Sequence, residues 1–166
     1  FEVEPRHRAC AIPKRGVLEA TRVVGSPDPL PPYRVRRVLP QVKLNLPITV
    51  VRQPDTDLLW VIHQLPAKAT TAIVRFREDD TSKSIETLLA ADETAYDLVF
   101  HPRFSENGFV YVGSNGAFPD AKSGKKTRVT RYTVQRAAPY HFDPKSAVVI
   151  IEWPSDGHNG AALSFG

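Results

Sequence analysis

A chain of 166 residues, 42% hydrophobic and 24% charged, can bury the core of one domain and is too apolar for wholesale disorder. No run reaches the ~18 apolar residues that span a bilayer, and no hydrophobic signal core is present. The net charge is +4, and one cysteine, Cys10, excludes an intramolecular disulfide, a paired-cysteine zinc motif and a CxxCH haem attachment.

Fifteen prolines and nine glycines spread among short apolar runs predict many turns and few long helices, hence an all-β chain. Residues 1–40 differ from the rest. Pro5, Pro13, Pro27, Pro29, Pro31, Pro32 and Pro40 punctuate them and no apolar alternation is sustained. We expect an irregular, Pro-rich extended arm there, with a domain at 41–166. A chain that opens on Phe1 and contains no methionine reads as a processed or excised polypeptide.

From Val42 onward strand-like runs recur. Leu46 to Val51 and Leu58 to His63 flank the turn Gln53-Pro54-Asp55-Thr56-Asp57 and read as a hairpin. Ala72 to Arg77 and Ser84 to Leu89 complete a first group of four. Tyr96 to Phe100, Phe109 to Gly113, Thr127 to Val134 and Ala147 to Trp153 make a second. Four short strands repeated at spacings of about 50 to 65 residues are a propeller signature, and the strand number also suits an eight-stranded sandwich.

Lys122, Lys125, Lys126, Arg128, Arg131 and Arg136 form a basic run with no acid after Asp120. Neither interleaved aromatics nor a recognition helix accompanies it, so a solvated loop followed by a charged edge strand is expected, and no nucleic-acid partner. His101, in Phe-His-Pro, reads as a turn residue that packs and hydrogen-bonds locally. His7, His63 and His141 have no companion at metal-ligand spacing.

Three segments in order carry a family likeness. They are Tyr96-Asp97-Leu98-Val99-Phe100-His101-Pro102-Arg103-Phe104 with Asn107 to Val112, then Lys126 to Val134, then Gly157-His158-Asn159-Gly160 with Leu163-Ser164-Phe165-Gly166. Together they resemble the quinoprotein glucose/sorbosone dehydrogenases, sugar dehydrogenases dependent on pyrroloquinoline quinone (PQQ) and built on a six-bladed β-propeller. The piece Arg22 to Tyr33 is similar to the lead-in of large multidomain bacterial relatives, where a c-type cytochrome is often joined to the propeller.

The resemblance implies two four-stranded antiparallel blades plus the first strand of a third, periplasmic or extracellular. It makes His158 the general base that takes a proton from a sugar or alcohol hydroxyl during hydride transfer to PQQ, a task suited to an imidazole of pKa near ~6.5. Gly157 and Asn159 become cofactor contacts, and so does Asp92 by position. Where the family places Gln-Asn-Gly, however, this chain reads Asp92-Glu93-Thr94, and carboxylates there repel those of PQQ unless a metal or arginine intervenes. The family's calcium ligands and remaining cofactor contacts lie beyond residue 166. The expected partners are therefore further propeller segments or subunits and an electron acceptor. The second reading is a propeller without chemistry, an assembly or binding module.

Overall fold

The computed structural model describes residues 2–5, 33–66, 70–78, 84–118, 124–155 and 160–166. The chain divides into two compact units, Phe1–Pro40 and Gln41–Gly166. The first unit is not irregular throughout its described residues. β1 (Glu2–Pro5) pairs antiparallel with β2 (Tyr33–Arg36), in a register that sets Glu2 opposite Arg36, Val3 opposite Val35 and Glu4 opposite Arg34. Two stretches too short to read as strands alone are complementary in residue type when paired.

The second unit is built from two sheets. β3 (Pro47–Arg52), β4 (Leu58–Gln64), β5 (Thr71–Arg77) and β6 (Glu86–Ala91) form the first. β7 (Thr94–Phe100), β8 (Phe109–Gly116), β9 (Lys126–Val134) and β10 (Phe142–Pro154) form the second. Each is an antiparallel meander of four consecutive strands, and neither closes on itself. The described helix is a single turn, α1 (Phe104–Asn107). It stops at Gly108, whose φ of 67° is left-handed and whose N–H returns to the Phe104 carbonyl at 2.7 Å. A Cβ there would collide with the Val134 carbonyl.

The sheets meet through alternate residues. Trp60 and Ile62 of β4 and Ile73 of β5 pack against Leu98, Phe100, Val110, Val112, Tyr132, Val134 and Phe142 of the second sheet. Trp60 stands edge-on to Phe100 at 5.2 Å and to Phe142 at 5.9 Å between ring centroids, the geometry that aromatic quadrupoles favour. β7 lies across β3, β4 and β5 of the first sheet, and β10 lies against β6.

Arg75 of β5 closes one end of this seam. It is 4% exposed. Its Nε and Nη2 bond Glu86 Oε2 at 3.0 and 2.6 Å, and its Nη1 donates to the Tyr140 carbonyl at 2.7 Å. Nη2 also reaches the Pro139 carbonyl at 3.3 Å, and the guanidinium lies 5.7 Å from the Trp60 ring centroid. One cation thereby ties an edge carboxylate of the first sheet to the β9–β10 connection of the second.

Among the described residues no strand follows β10. Gly160–Gly166 forms no strand, because its backbone lies across a sheet face and not along an edge where a ladder could form. Ala161 fills the space beside Gly113. Leu163 N–H donates to Asp97 Oδ2 at 2.8 Å, and the Phe165 ring sits 5.3 Å from His101 and 5.5 Å from Tyr111. Alternate residues of the segment therefore face β7 and β8, the spacing of a strand without its partner.

Two outcomes test this architecture. Arg75→Ala should lower unfolding stability by roughly 2–4 kcal/mol in urea titrations, since two carbonyls lose a charged donor in a buried setting; Glu86→Gln, at the exposed end, should cost under about 1 kcal/mol. Gly113→Ala should displace Ala161 and speed hydrogen exchange at the Leu163 amide, an effect that Asp97→Asn should reproduce; unchanged exchange in both would contradict the seating of the segment.

Candidate functional site at one end of the second sheet

The register gathers chemistry at the end where β7 begins, β8 ends, β9 begins and β10 ends. Thr94 pairs with Asn115, Asn115 with Thr127, and Thr127 with Trp153. The side chains of Asn115, Thr127 and Ser155 are buried and bonded to one another. Asn115 Nδ2 donates to the Lys126 carbonyl at 3.0 Å, to Thr127 Oγ1 at 3.1 Å and to the Ser155 carbonyl at 3.3 Å. Thr127 Oγ1 donates to Ser155 Oγ at 2.9 Å, and Ser155 N–H reaches the Lys125 carbonyl at 2.9 Å. Buried polar groups are tolerated only when satisfied in this way, and the result fixes where β10 ends.

The bend between the sheets reaches the same end. Thr71 Oγ1 donates to the Glu93 carbonyl at 3.0 Å and accepts from Ala95 N–H at 2.8 Å. Gly116 lies so close to Glu93 that a Cβ would meet its side chain. Asp92 is exposed, whereas Glu93 is partly buried. Burial pushes the Glu93 carboxyl above the ordinary 4.5, the neighbouring Asp92 charge adds to that, and its own backbone hydrogen bond and Arg128 pull the other way. Tyr132 is raised above 10.0, first by burial and then by the Glu93 charge.

Two members of the basic run read from the sequence, Lys126 and Arg128, share one carboxylate from the neighbouring strand. Lys126 Nζ bonds Glu152 Oε1 at 2.7 Å, and Arg128 Nε and Nη2 bond Glu152 Oε2 at 3.0 and 2.7 Å. The bonds from Lys126, then from Arg128, hold the Glu152 carboxyl below its ordinary 4.5. Arg128 also stacks on Phe118, with Cζ 3.9 Å from the ring centroid. Glu152 and Phe118 had no role in the sequence reading, because neither adjoins the run it completes.

Of the predicted site residues, Asp92 stands on the exposed bend. Gly157, His158 and Asn159 lie outside the described residues. Of the described residues that flank them, Ser155 is buried and Gly160 is exposed. His101 belongs to the opposite end of β7. Its Nδ1 accepts from Arg103 N–H at 3.0 Å and lies 2.8 Å from Asn107 Nδ2, and its ring packs against Phe109, Tyr111 and Phe165. Since a backbone N–H can only donate, the neutral ring carries its proton on Nε2.

An open cleft of about 1040 Å³ lies away from this end, lined in part by Arg52, Asp57, Arg75, Arg77, Glu86 and Tyr140. Its cations are matched by acids: Arg77 with Asp57, Arg52 with Glu78, and Arg75 with Glu86. Among the described residues no group of three or more His, Cys, Asp or Glu could hold a metal ion.

The described residues at the β7 end do not by themselves fit PQQ, whose carboxylates need cations. Lys126 and Arg128 already hold Glu152, and Asp92 and Glu93 add two carboxyl groups. No protein-family model matches the chain, and no curated protein matches it.

The two glutamates should give opposite pH responses. Glu93, raised, contributes stability that is complete below its ordinary value and is lost as pH rises through its folded value; Glu152, lowered, contributes above its ordinary value and loses it as pH falls through its folded value. Above about pH 4.5, Glu93→Gln should therefore gain melting temperature relative to the parent protein as pH rises, whereas the deficit of Glu152→Gln should shrink as pH falls below about 4.5. Parallel melting curves for all three proteins would contradict both assignments.

Proposed function

We propose that residues 41–166 are two neighbouring blades from the amino-terminal part of a β-propeller of the quinoprotein glucose/sorbosone dehydrogenase type, working in the periplasm or outside the cell. In this reading His158 accepts the proton of a sugar or alcohol hydroxyl. The observation that supports it is the repeated architecture: two four-strand antiparallel meanders follow one another along the chain and pack together, β7 against β3, β4 and β5 and β10 against β6. The Asp92–Glu93 bend that leaves the first meander and Ser155, where the second ends, meet at one end of the second sheet. His158 follows Ser155 by three residues in the sequence.

An imidazole is suited to the task because its ordinary pKa lies near neutrality, so the free base is available when the substrate hydroxyl gives up its proton. Gly157 and Asn159 would contact PQQ, the remaining cofactor contacts and the calcium ligands would lie beyond residue 166, and a c-type cytochrome or comparable acceptor would receive the electrons. The alternative, a propeller that serves as a binding or assembly module, is favoured by one specific observation: Lys126 and Arg128 are committed to Glu152 and are not turned to a ligand.

The deciding experiment uses the complete natural polypeptide with PQQ, calcium and an artificial electron acceptor, assayed on sugars and alcohols. His158→Ala should cut turnover by about 10²-fold or more while leaving the melting temperature unchanged. A folded protein that binds no PQQ and oxidises no sugar or alcohol would retire the enzyme in favour of the assembly module. Turnover retained in His158→Ala would remove only the role given to that residue.

A further inference from the structure

The cleft at the far end of the two-sheet seam is lined by three arginines, Arg52, Arg75 and Arg77, and by three carboxylates, Asp55, Asp57 and Glu86. Its charge is therefore balanced. An anion could enter only by drawing a guanidinium away from Asp57, Glu78 or Glu86, and a cation only by drawing a carboxylate away from its arginine. A neutral guest rich in hydroxyls avoids both costs. Its hydroxyls donate to carboxylate oxygens and accept from guanidinium N–H groups, and each of these ions has more bonding positions than a single pair uses.

Arg75 gives this cleft a buried donor. Nε and Nη2 bond Glu86, Nη2 also reaches the Pro139 carbonyl, and Nη1 donates to the Tyr140 carbonyl. Among the described residues these bonds leave one of the five N–H groups of the guanidinium, on Nη1, without an acceptor. The residue is 4% exposed, so that N–H is largely withdrawn from bulk water and gains from an acceptor in the cleft. Leu58, Phe76, Pro139 and Tyr140 add apolar surface. Tyr140 has a left-handed backbone, φ 57°, unfavourable for an aromatic residue. It is held there by its N–H on the Ala137 carbonyl at 2.8 Å and by its own carbonyl on Arg75. Asp55, with φ 58°, is a second such residue on the same cleft, and backbone kept in this costly region concentrates at ligand sites.

We propose that this cleft is a binding site for a neutral carbohydrate, a short oligosaccharide whose hydroxyls bond Asp57, Arg77 and the remaining Nη1 N–H of Arg75 and whose apolar ring faces rest on Tyr140 and Pro139. At about 1040 Å³ the cleft lies at the upper end of the sizes of small-molecule sites. It is separate from the candidate site at the β7 end. Leu58 and Arg77 pair at one end of β4 and β5, whereas Gln64 and Thr71 pair at the other, where Thr71 bonds the Glu93 carbonyl. The inference does not rest on the oxidation chemistry. For an enzyme it adds a second contact with carbohydrate away from His158, and for a binding module it names the ligand.

Isothermal titration calorimetry of the complete natural polypeptide, with neither PQQ nor electron acceptor present, tests the site with maltotriose, cellotriose and mannotriose as probes. At least one should bind saturably, with an affinity that added sodium chloride leaves unchanged. The double substitution Asp57→Ala with Arg77→Ala removes one exposed pair and keeps the net charge, so it should leave the melting temperature nearly unchanged and weaken binding by about 10-fold or more. His158→Ala should bind as the parent protein does. The proposal is overturned if none of the three sugars binds, or if the double variant binds as tightly as the parent. It is equally overturned if inorganic phosphate displaces the sugar in a salt-dependent way, which would make the cleft an anion site. A trisaccharide held in the cleft of a protein that oxidises no sugar or alcohol would retire the enzyme and leave this inference standing.

Discussion

The indole of Trp60 is the point on which the two-sheet unit depends. It is fully buried, touches Phe100 and Phe142 of the other sheet edge-on, and uses its Nε1–H on Gln53 Oε1 at 3.0 Å. A ring of that size joins two sheets only if its polar handle is satisfied and its rim is closed to water. Gln53 meets the first condition. Arg75, laid near the ring and bonded to Glu86 and to the Tyr140 carbonyl, meets the second. Phe142 belongs to the last strand of the second sheet and Trp60 to the second strand of the first, so this one contact also sets how the meanders align.

Once the sheets are aligned, their ends acquire different characters. At the β7 end, Thr71, Asn115, Thr127 and Ser155 bond to one another or to backbone. At the other end arginines meet aspartates and glutamates along an open cleft. The first arrangement immobilises backbone with buried polar bonds, while in the second the Arg52–Glu78 and Arg77–Asp57 pairs are exposed and contribute little to stability. A site that must hold a base in one position is better served by the first.

The candidate site was only half legible. Asp92 and the histidine segment stand out locally, one as an acid where the resembling family has amides, the other as an imidazole among glycines. Glu93, Asn115, Thr127, Arg128 and Glu152 did not, because their meaning comes from pairing across strands. Lys126 and Arg128 looked like a solvated basic run until Glu152, carried on the neighbouring strand, bonded both. Arg131 looked like one more member of that run, yet strand alternation turns it to the opposite face from Arg128.

An all-β chain, and the places of eight strands in the second unit, could be read from the sequence alone, since period-two alternation and proline or glycine punctuation are local signals. The sequence placed the start of β10 at Ala147, five residues late, because Pro144 reads as a stop; the tertiary structure admits it within a strand whose register is interrupted between Asp143 and Val148. It also missed the β1–β2 pair, whose strands are separated by most of the first unit. What only the tertiary structure decided is which strands neighbour which, that Trp60 and Arg75 lock one sheet to the other, and that residues 160–166 lie on a face without forming a strand. Those outcomes depend on contacts between residues tens of positions apart, and local composition carries no record of which distant partner will satisfy a buried donor.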